Sequence, residues 1–159
     1  MDLISRYASP LGEIVLAADG ESLIGLWFAG QAHFGAGLRD AAEGDCAVLA
    51  EAKTWLDDYF AGKIPTQTPK LAPRGTPFQQ KVWAALLQIP RGETVTYGEL
   101  ARKVGSHARA AGGAVGRNPI SIMIPCHRVV GKDGSLTGYA GGTERKAALL
   151  ELENGLPHQ

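Results

Sequence analysis

The sequence predicts a mixed α/β protein. A small N-terminal β-meander with one helix precedes a mostly helical C-terminal half that holds a helix-turn-helix. Three observations carry this. Short apolar runs separated by tight-turn residues fill the first 28 positions. Two capping boxes, Thr76-Pro77-Phe78-Gln79 and Thr96-Tyr97-Gly98-Glu99, open helices in the second half. Between the halves, Pro65, Pro69, Pro73 and Gly75 mark a linker over 63–75. The expected boundary therefore divides residues 1–74 from 75–159.

Each element follows in order. Leu3 to Ala8, Glu13 to Ala18 and Ser22 to Phe28 read as strands, punctuated by Pro10-Leu11-Gly12 and Asp19-Gly20. The Gly- and Ala-rich residues 29–45 read as loop. From Cys46 to Ala61 the period becomes helical, with Leu49, Ala52, Leu56 and Tyr59/Phe60 on one face and Gly62 as the stop. Pro77 at the first helical position starts a helix that ends before Pro90. The Thr96 capping box opens the next, closed by Gly105, and another fits Ala108 to Val115. So short a connection between these two is that of a helix-turn-helix. Asn118-Pro119 breaks the pattern before the apolar run Ile120 to Ile124. Thr143 is the expected cap of a last helix reaching Glu153, with Asn154-Gly155 as its stop.

Composition narrows the function classes. The chain has 159 residues, enough for a real hydrophobic core. No apolar run is long enough for a membrane span, and the N-terminus lacks the pattern of a secretory signal. A cytoplasmic protein is expected. Two cysteines, Cys46 and Cys126, exclude a disulfide scaffold and a four-cysteine zinc site. Net charge is zero, but residues 1–75 carry −4 and residues 76–159 carry +4. That asymmetry suggests a polyanion facing the second half. Chance scatter among so many charges accounts for it equally well.

Cys126 is the foremost chemical candidate. His127 and Arg128 follow it, and a nearby cation lowers a thiol's pKa toward the reactive thiolate. The competing reading is an inert core thiol. Cys46 begins an amphipathic helix and reads as structural. Asn118-Pro119 is either plain turn chemistry or a brace for the turn that holds Cys126. Arg109 leads a helix of small residues, Ala110, Ala111, Gly112, Gly113 and Ala114. Such a face approaches another helix or the wall of a DNA groove closely.

The run Ile124-Pro125-Cys126-His127-Arg128-Val129-Val130-Gly131 resembles the active-site signature of the O6-alkylguanine-DNA alkyltransferases, the methylated-DNA–protein-cysteine methyltransferases. The resemblance extends through Gly75-Thr76-Pro77-Phe78-Gln79, Val82-Trp83, Ile89 to Thr94 and Thr96 to Ala101. Arg109-Ala110, Gly112, Asn118-Pro119, Thr137 to Gly142 and Arg145-Lys146 complete it. Residues 1–74 are similar only in pattern, to the family's ribonuclease-H-like domain.

The resemblance implies a single alkyl transfer from guanine O6, and from O4-alkylthymine, to the sulfur of Cys126. His127 would be the base through a water, and Glu153 its orienter. Tyr97 would help turn out the nucleotide and protonate the leaving guanine at N3. Lys146 would lie near that tyrosine, and Asn118 would brace the active-site turn. Val129, Tyr139, Ala140, Val115 and Ser121 would line the pocket. Arg109 would fill the gap left by the flipped base. Ala110, Gly112, Gly113, Ala114 and Arg117 would meet the minor groove of double-stranded DNA. The implied protein is a monomer with no membrane association, no cofactor and no metal.

Two positions depart from the family pattern. Ser106-His107-Ala108, between Gly105 and Arg109, is shorter than the common form, which has two more residues. Ser121 stands where some members carry a proline. Zinc ligands found in some N-terminal domains have no match. Two rivals remain in view: a non-catalytic lesion binder, which would lack the cysteine, and a Cys-His hydrolase, which would turn over without DNA.

Overall fold

The computed structural model describes residues 1–136 and 138–155. Strands β1 (Leu3–Ser9), β2 (Gly12–Ala18) and β3 (Leu23–Phe28) form the expected antiparallel meander. Ser9 pairs with Gly12, so Pro10 and Leu11 make a two-residue turn. The Asp19 carboxylate accepts from the backbone N–H groups of Glu21 and Ser22 and shapes the next turn. The expected loop over 29–45 contains one exception. Strand β4 (Ala42–Glu43) pairs in parallel with β1 and completes the order β3-β2-β1-β4.

Helix α1 (Ala47–Phe60) lays Leu49, Ala52, Leu56 and Tyr59 into the main core. The sheet's second cluster, Ala17, Ile24 and Trp27, gathers Ile4, Leu38 and Ala72 around it. With residues in both clusters, β2 and β3 are buried without the alternation of a half-exposed strand.

The expected linker is not a free connector. Leu23 N–H donates to Lys70 at 2.8 Å and Ala72 N–H donates to Leu23 at 2.8 Å, so the segment lies along the edge of β3. Arg74 then grips the buried Asp2 carboxylate through two nitrogens, at 2.7 and 3.0 Å. An edge left unpaired by the meander explains why Pro- and Gly-rich chain is held there.

The second half contains α2 (Pro77–Leu86), α3 (Tyr97–Lys103) and α4 (Ala108–Gly116). Both capping boxes form reciprocally: Thr76 with Gln79 and Thr96 with Glu99. Two short strands that no periodicity announced, β5 (Val95–Thr96) and β6 (Val129–Val130), pair in parallel. Cys126–Arg128 is a single 3-10 turn leading into β6. Helix α5 (Thr143–Gly155) corrects two expectations, for it runs on through Asn154 and Gly155 rather than stopping there. Thr143 is its first residue rather than its cap, and the Gly142 carbonyl accepts from Lys146 N–H at 3.1 Å. Thr137 of the family-like motif lies outside the described residues, as do residues 156–159.

One apolar cluster runs through both halves, joining Phe28, Leu49 and Tyr59 to Trp83, Ile120 and Leu149. Among the described residues no helix is long and apolar enough to cross a membrane.

Candidate active site and nucleic-acid interface

The turn that carries Cys126 is fixed from two sides. The Asn118 side chain donates to the Ile124 carbonyl at 2.8 Å and to Ile120 at 3.4 Å, and accepts from Ile120 N–H at 3.0 Å. From the other side, β3 supplies a bridge. Leu26 N–H donates to the Pro119 carbonyl at 2.8 Å, and Ser121 N–H donates to Leu26 at 3.0 Å. Between these anchors Ile122 sits at φ +70°, a left-handed conformation that is costly for a β-branched residue. The surrounding bonds hold it there.

Cys126 is 3% exposed. Burial pushes its thiol up to about 11, against the opposing effects of the Asn118 amide and the Lys146 charge. At neutral pH only about one such thiol in ten thousand is ionised. A reaction at this sulfur therefore needs a base.

His127 is fully buried beside it. Its Nε2 lies 2.6 Å from Glu153 Oε2, and its Nδ1 is buried with no protein partner. Burial keeps the imidazole neutral against the pull of Glu153. Burial alone would raise the Glu153 carboxyl, but hydrogen bonds from His127 and Arg128, with the Arg128 charge, hold it well below the usual carboxylate range. The carboxylate thus fixes the tautomer: Nε2 carries the proton, and Nδ1 is the open acceptor.

Two further groups complete the carboxylate's shell. Arg128 donates from Nε to Oε1 at 2.8 Å and from Nη2 to Oε2 at 3.1 Å, while its Nη1 reaches the Ile89 carbonyl at 2.7 Å. Tyr59 Oη donates to Oε2 at 2.7 Å. In the sequence Arg128 stands out only as a cation near the thiol. Tyr59 is one more apolar position on a helix there, and no local pattern marks a contact across 94 residues.

Lys146 is fully buried, with Nζ 5.7 Å from the centre of the Tyr97 ring. Burial pulls its ammonium down to about 8, and the charge of Cys126 opposes this. Tyr97 is half-buried, and its hydroxyl is raised by burial and then by Cys126. Tyr139 is buried edge-on to His127, with ring centres 6.5 Å apart. Ser121 and Val129 are buried, and Ala140 is half-buried.

Tyr97 also borders the surface. A cavity of about 360 Å³ is lined by Tyr97, Ala108, Arg109, Gly112 and Gly138. Gly138 is at φ +83°, and a Cβ there would stand 2.4 Å from the Tyr97 hydroxyl. Arg109 is exposed at the second position of α4, Gly113 is exposed further along it, and Arg117 is exposed at its C-cap. Ala110 and Gly112 are partly exposed. One expected DNA contact moves inward: Ala114 is buried, its carbonyl taking the Trp83 indole N–H at 2.9 Å, so it offers DNA no surface. Val115, expected in the pocket wall, is buried in the main core. Among the described residues no cluster of His, Cys, Asp and Glu could hold a metal ion.

A buried thiol followed by a neutral histidine paired with a carboxylate, beside a helix-turn-helix with an exposed arginine, fits a DNA-binding protein with a cysteine acceptor. Comparison with known proteins makes the class specific. Residues 77–155 match the 6-O-methylguanine DNA methyltransferase DNA-binding domain, and residues 3–71 match the ribonuclease-like domain of the same family. The methylated-DNA–protein-cysteine methyltransferase of Mycobacterium leprae is 48% identical over 147 residues, covering 91% of this chain and 88% of its own. That of Methanosarcina acetivorans is 46% identical over 154 residues, covering 92% and 95%. The structure of Mycobacterium tuberculosis OGT in complex with DNA superimposes with a TM-score of 0.87 at 44% identity, covering 96% of this chain and 93% of that one. The chain belongs to the 6-O-methylguanine DNA methyltransferase family.

Proposed function

We propose that this protein repairs DNA by moving one alkyl group from guanine O6, or from thymine O4, onto Cys126. The carrying observation is the buried His127–Glu153 pair directly after Cys126, on a turn braced by Asn118. The thiol gives its proton to His127 Nδ1 through a water. The imidazolium that forms is stabilised by the ionised Glu153. The sulfur attacks the sp³ carbon in line as the carbon–O6 bond breaks, and guanine leaves with the bonding pair. Guanine takes a proton at N3 from Tyr97, and Lys146 returns one to Tyr97. The resulting thioether has no second nucleophile to release it, so the reaction is stoichiometric.

The target atom lies inside a duplex, so the nucleotide must leave the stack. On this reading Arg109 occupies the gap, and α4 enters the minor groove. Its exposed small residues support that approach, since they let the backbone come close to the groove wall. Residues 75–159 carry the acceptor and the DNA surface, and residues 1–74 brace them. The protein acts as a cytoplasmic monomer.

The test is mass spectrometry after mixing with DNA that contains O6-methylguanine. One methyl group per chain, on Cys126, is expected. Cys126→Ala should gain no mass yet still bind DNA. Binding without any mass gain in the native chain would favour a lesion binder, and repeated turnover without DNA would favour a hydrolase.

A further inference from the structure

A side chain of the N-terminal half reaches the centre of the acceptor site. Tyr59, on α1, is 1% exposed, and its hydroxyl donates to Glu153 Oε2 at 2.7 Å. The ring is held on its own account. Trp55 stacks on it at 5.2 Å, and the Arg91 guanidinium lies 5.2 Å from its centre. The hydroxyl is therefore aimed rather than free to rotate away.

Oε2 is the oxygen that faces His127. It receives three donors: His127 Nε2 at 2.6 Å, Tyr59 Oη at 2.7 Å and Arg128 Nη2 at 3.1 Å. Oε1 receives Arg128 Nε. Four donors thus converge on the carboxylate, three of them on the oxygen that meets His127. A carboxylate so bound cannot rotate, and the charge it shows to His127 is shared with the other donors.

We infer that Tyr59 is a positioning residue for the acceptor site: its hydroxyl fixes Glu153 and tempers the charge that His127 meets. The inference rests on the reading of His127 as the base. Sharing Oε2 weakens the hold of Glu153 on the imidazolium, so His127 stays neutral and able to accept at lower pH. Removing the hydroxyl leaves more charge on Oε2 and makes His127 more basic. Burial already raises the Tyr59 hydroxyl far above its usual value, and Glu153 raises it further, so Tyr59 is a permanent donor. The other charged or titratable groups near the pair are Arg128, Lys146, Cys126, Tyr139 and Arg91. None of them is replaced in the substitution below.

The test is Tyr59→Phe, which keeps the ring and deletes the donor. Tyr7→Phe is the matched control. It loses a 2.7 Å hydroxyl bond to Asp57 on the same helix, with no link to Glu153. Single-turnover methyl transfer is followed against pH. Tyr59→Phe should transfer about five- to tenfold more slowly at neutral pH, and its acid limb should move to higher pH. Tyr7→Phe should leave the acid limb in place. Histidine-selective NMR reads the same point without DNA: the His127 Nε2–H resonance should shift in Tyr59→Phe and stay put in Tyr7→Phe. A lower melting temperature with an unchanged acid limb and an unchanged resonance would make Tyr59 a packing residue and overturn the inference. A native chain that gains no methyl group would overturn the proposed function instead, while the resonance would still decide the role of Tyr59.

Discussion

The segment 118–128 and helix α4 are neighbours in the chain and opposites in construction. In the segment nearly every side chain is buried, and Asn118, Arg128 and the Nε2 of His127 are bound within the protein, leaving His127 Nδ1 open. The same segment stores a strained Ile122 and takes two backbone bonds from β3. Helix α4 is nine residues long, holds Gly112, Gly113 and Gly116, and shows half of its surface to solvent. Its first turn is fixed by one long side-chain cap, from Ala110 N–H to His107 Nδ1 at 3.3 Å. The difference matches the two tasks. In-line attack on carbon needs reacting atoms fixed to a fraction of an ångström. Meeting a polymer of any sequence needs a smooth surface and one projecting side chain.

The largest expected effect tests the rigid partner. Asn118→Ala removes three hydrogen bonds at once, strands the Ile120 N–H in the interior and leaves the Ile124 carbonyl with the Cys126 N–H alone. Buried groups left unpaired cost about 1–3 kcal/mol each. A loss of roughly 3 kcal/mol should lower the melting temperature by about 6–12 °C. Methyl transfer should fall with it, because Ile122 is then free to relax and carry Cys126 out of line. If Asn118→Ala melts like the native chain, the segment is held by something else and the contrast fails.

The next effect tests the smooth partner. Arg109→Ala changes an exposed side chain and should not move the melting point. It should slow repair of duplex DNA by about ten- to a hundredfold, because flipping a base costs a few kcal/mol that a stacked side chain offsets. Reaction with the free alkylated base involves no flipping and should be nearly unchanged. Equal losses on both substrates would give Arg109 a structural role. Binding should also weaken with added salt and show little sequence preference, as contacts to phosphate require.

These two regions were not equally legible in the sequence. Helices α2, α3 and α4 announce themselves because caps and stops are local chemistry within four residues. The meander is legible for the same reason, through Pro10, Gly12, Asp19 and Gly20. The acceptor site is local only in part. Cys126, His127 and Arg128 are adjacent, but Glu153 and Tyr59 reach them across long stretches of chain. Motif resemblance supplied Glu153, and nothing supplied Tyr59. The bridge from Leu26 to Ile120 is backbone pairing and leaves no trace in side-chain pattern. Ala114 was misjudged because small residues look alike on both faces of a helix, and only the Trp83 contact tells them apart.

A smaller effect couples the two regions. A methyl group on Cys126 enters a site that is almost closed. Overpacking of this kind costs about 1–3 kcal/mol. The S-methylated chain should therefore melt about 3–10 °C below the free one. Because Asn118 joins the acceptor turn to the end of α4, its DNA affinity should fall as well. A methylated chain that melts higher than the free one would show spare room beside the sulfur.

The smallest effect lies at the start of α4. Three glycines among nine residues leave this helix with little propensity of its own, each costing about 1 kcal/mol against alanine. Its cap then matters more than usual, yet the bond from Ala110 N–H to His107 is long and exposed. His107→Ala should fall at the low end of cap losses, about 0.5–1 kcal/mol, or about 1–4 °C of melting temperature. His107→Asp separates the cap from the DNA surface. Aspartate caps at least as well and its charge suits a helix N-terminus, so the variant should melt at or above the native temperature. The same charge sits two residues from Arg109 and would face phosphate, so DNA binding should weaken, most at low salt. A His107→Asp chain that binds DNA as tightly as the native one at low salt would remove the start of α4 from the interface.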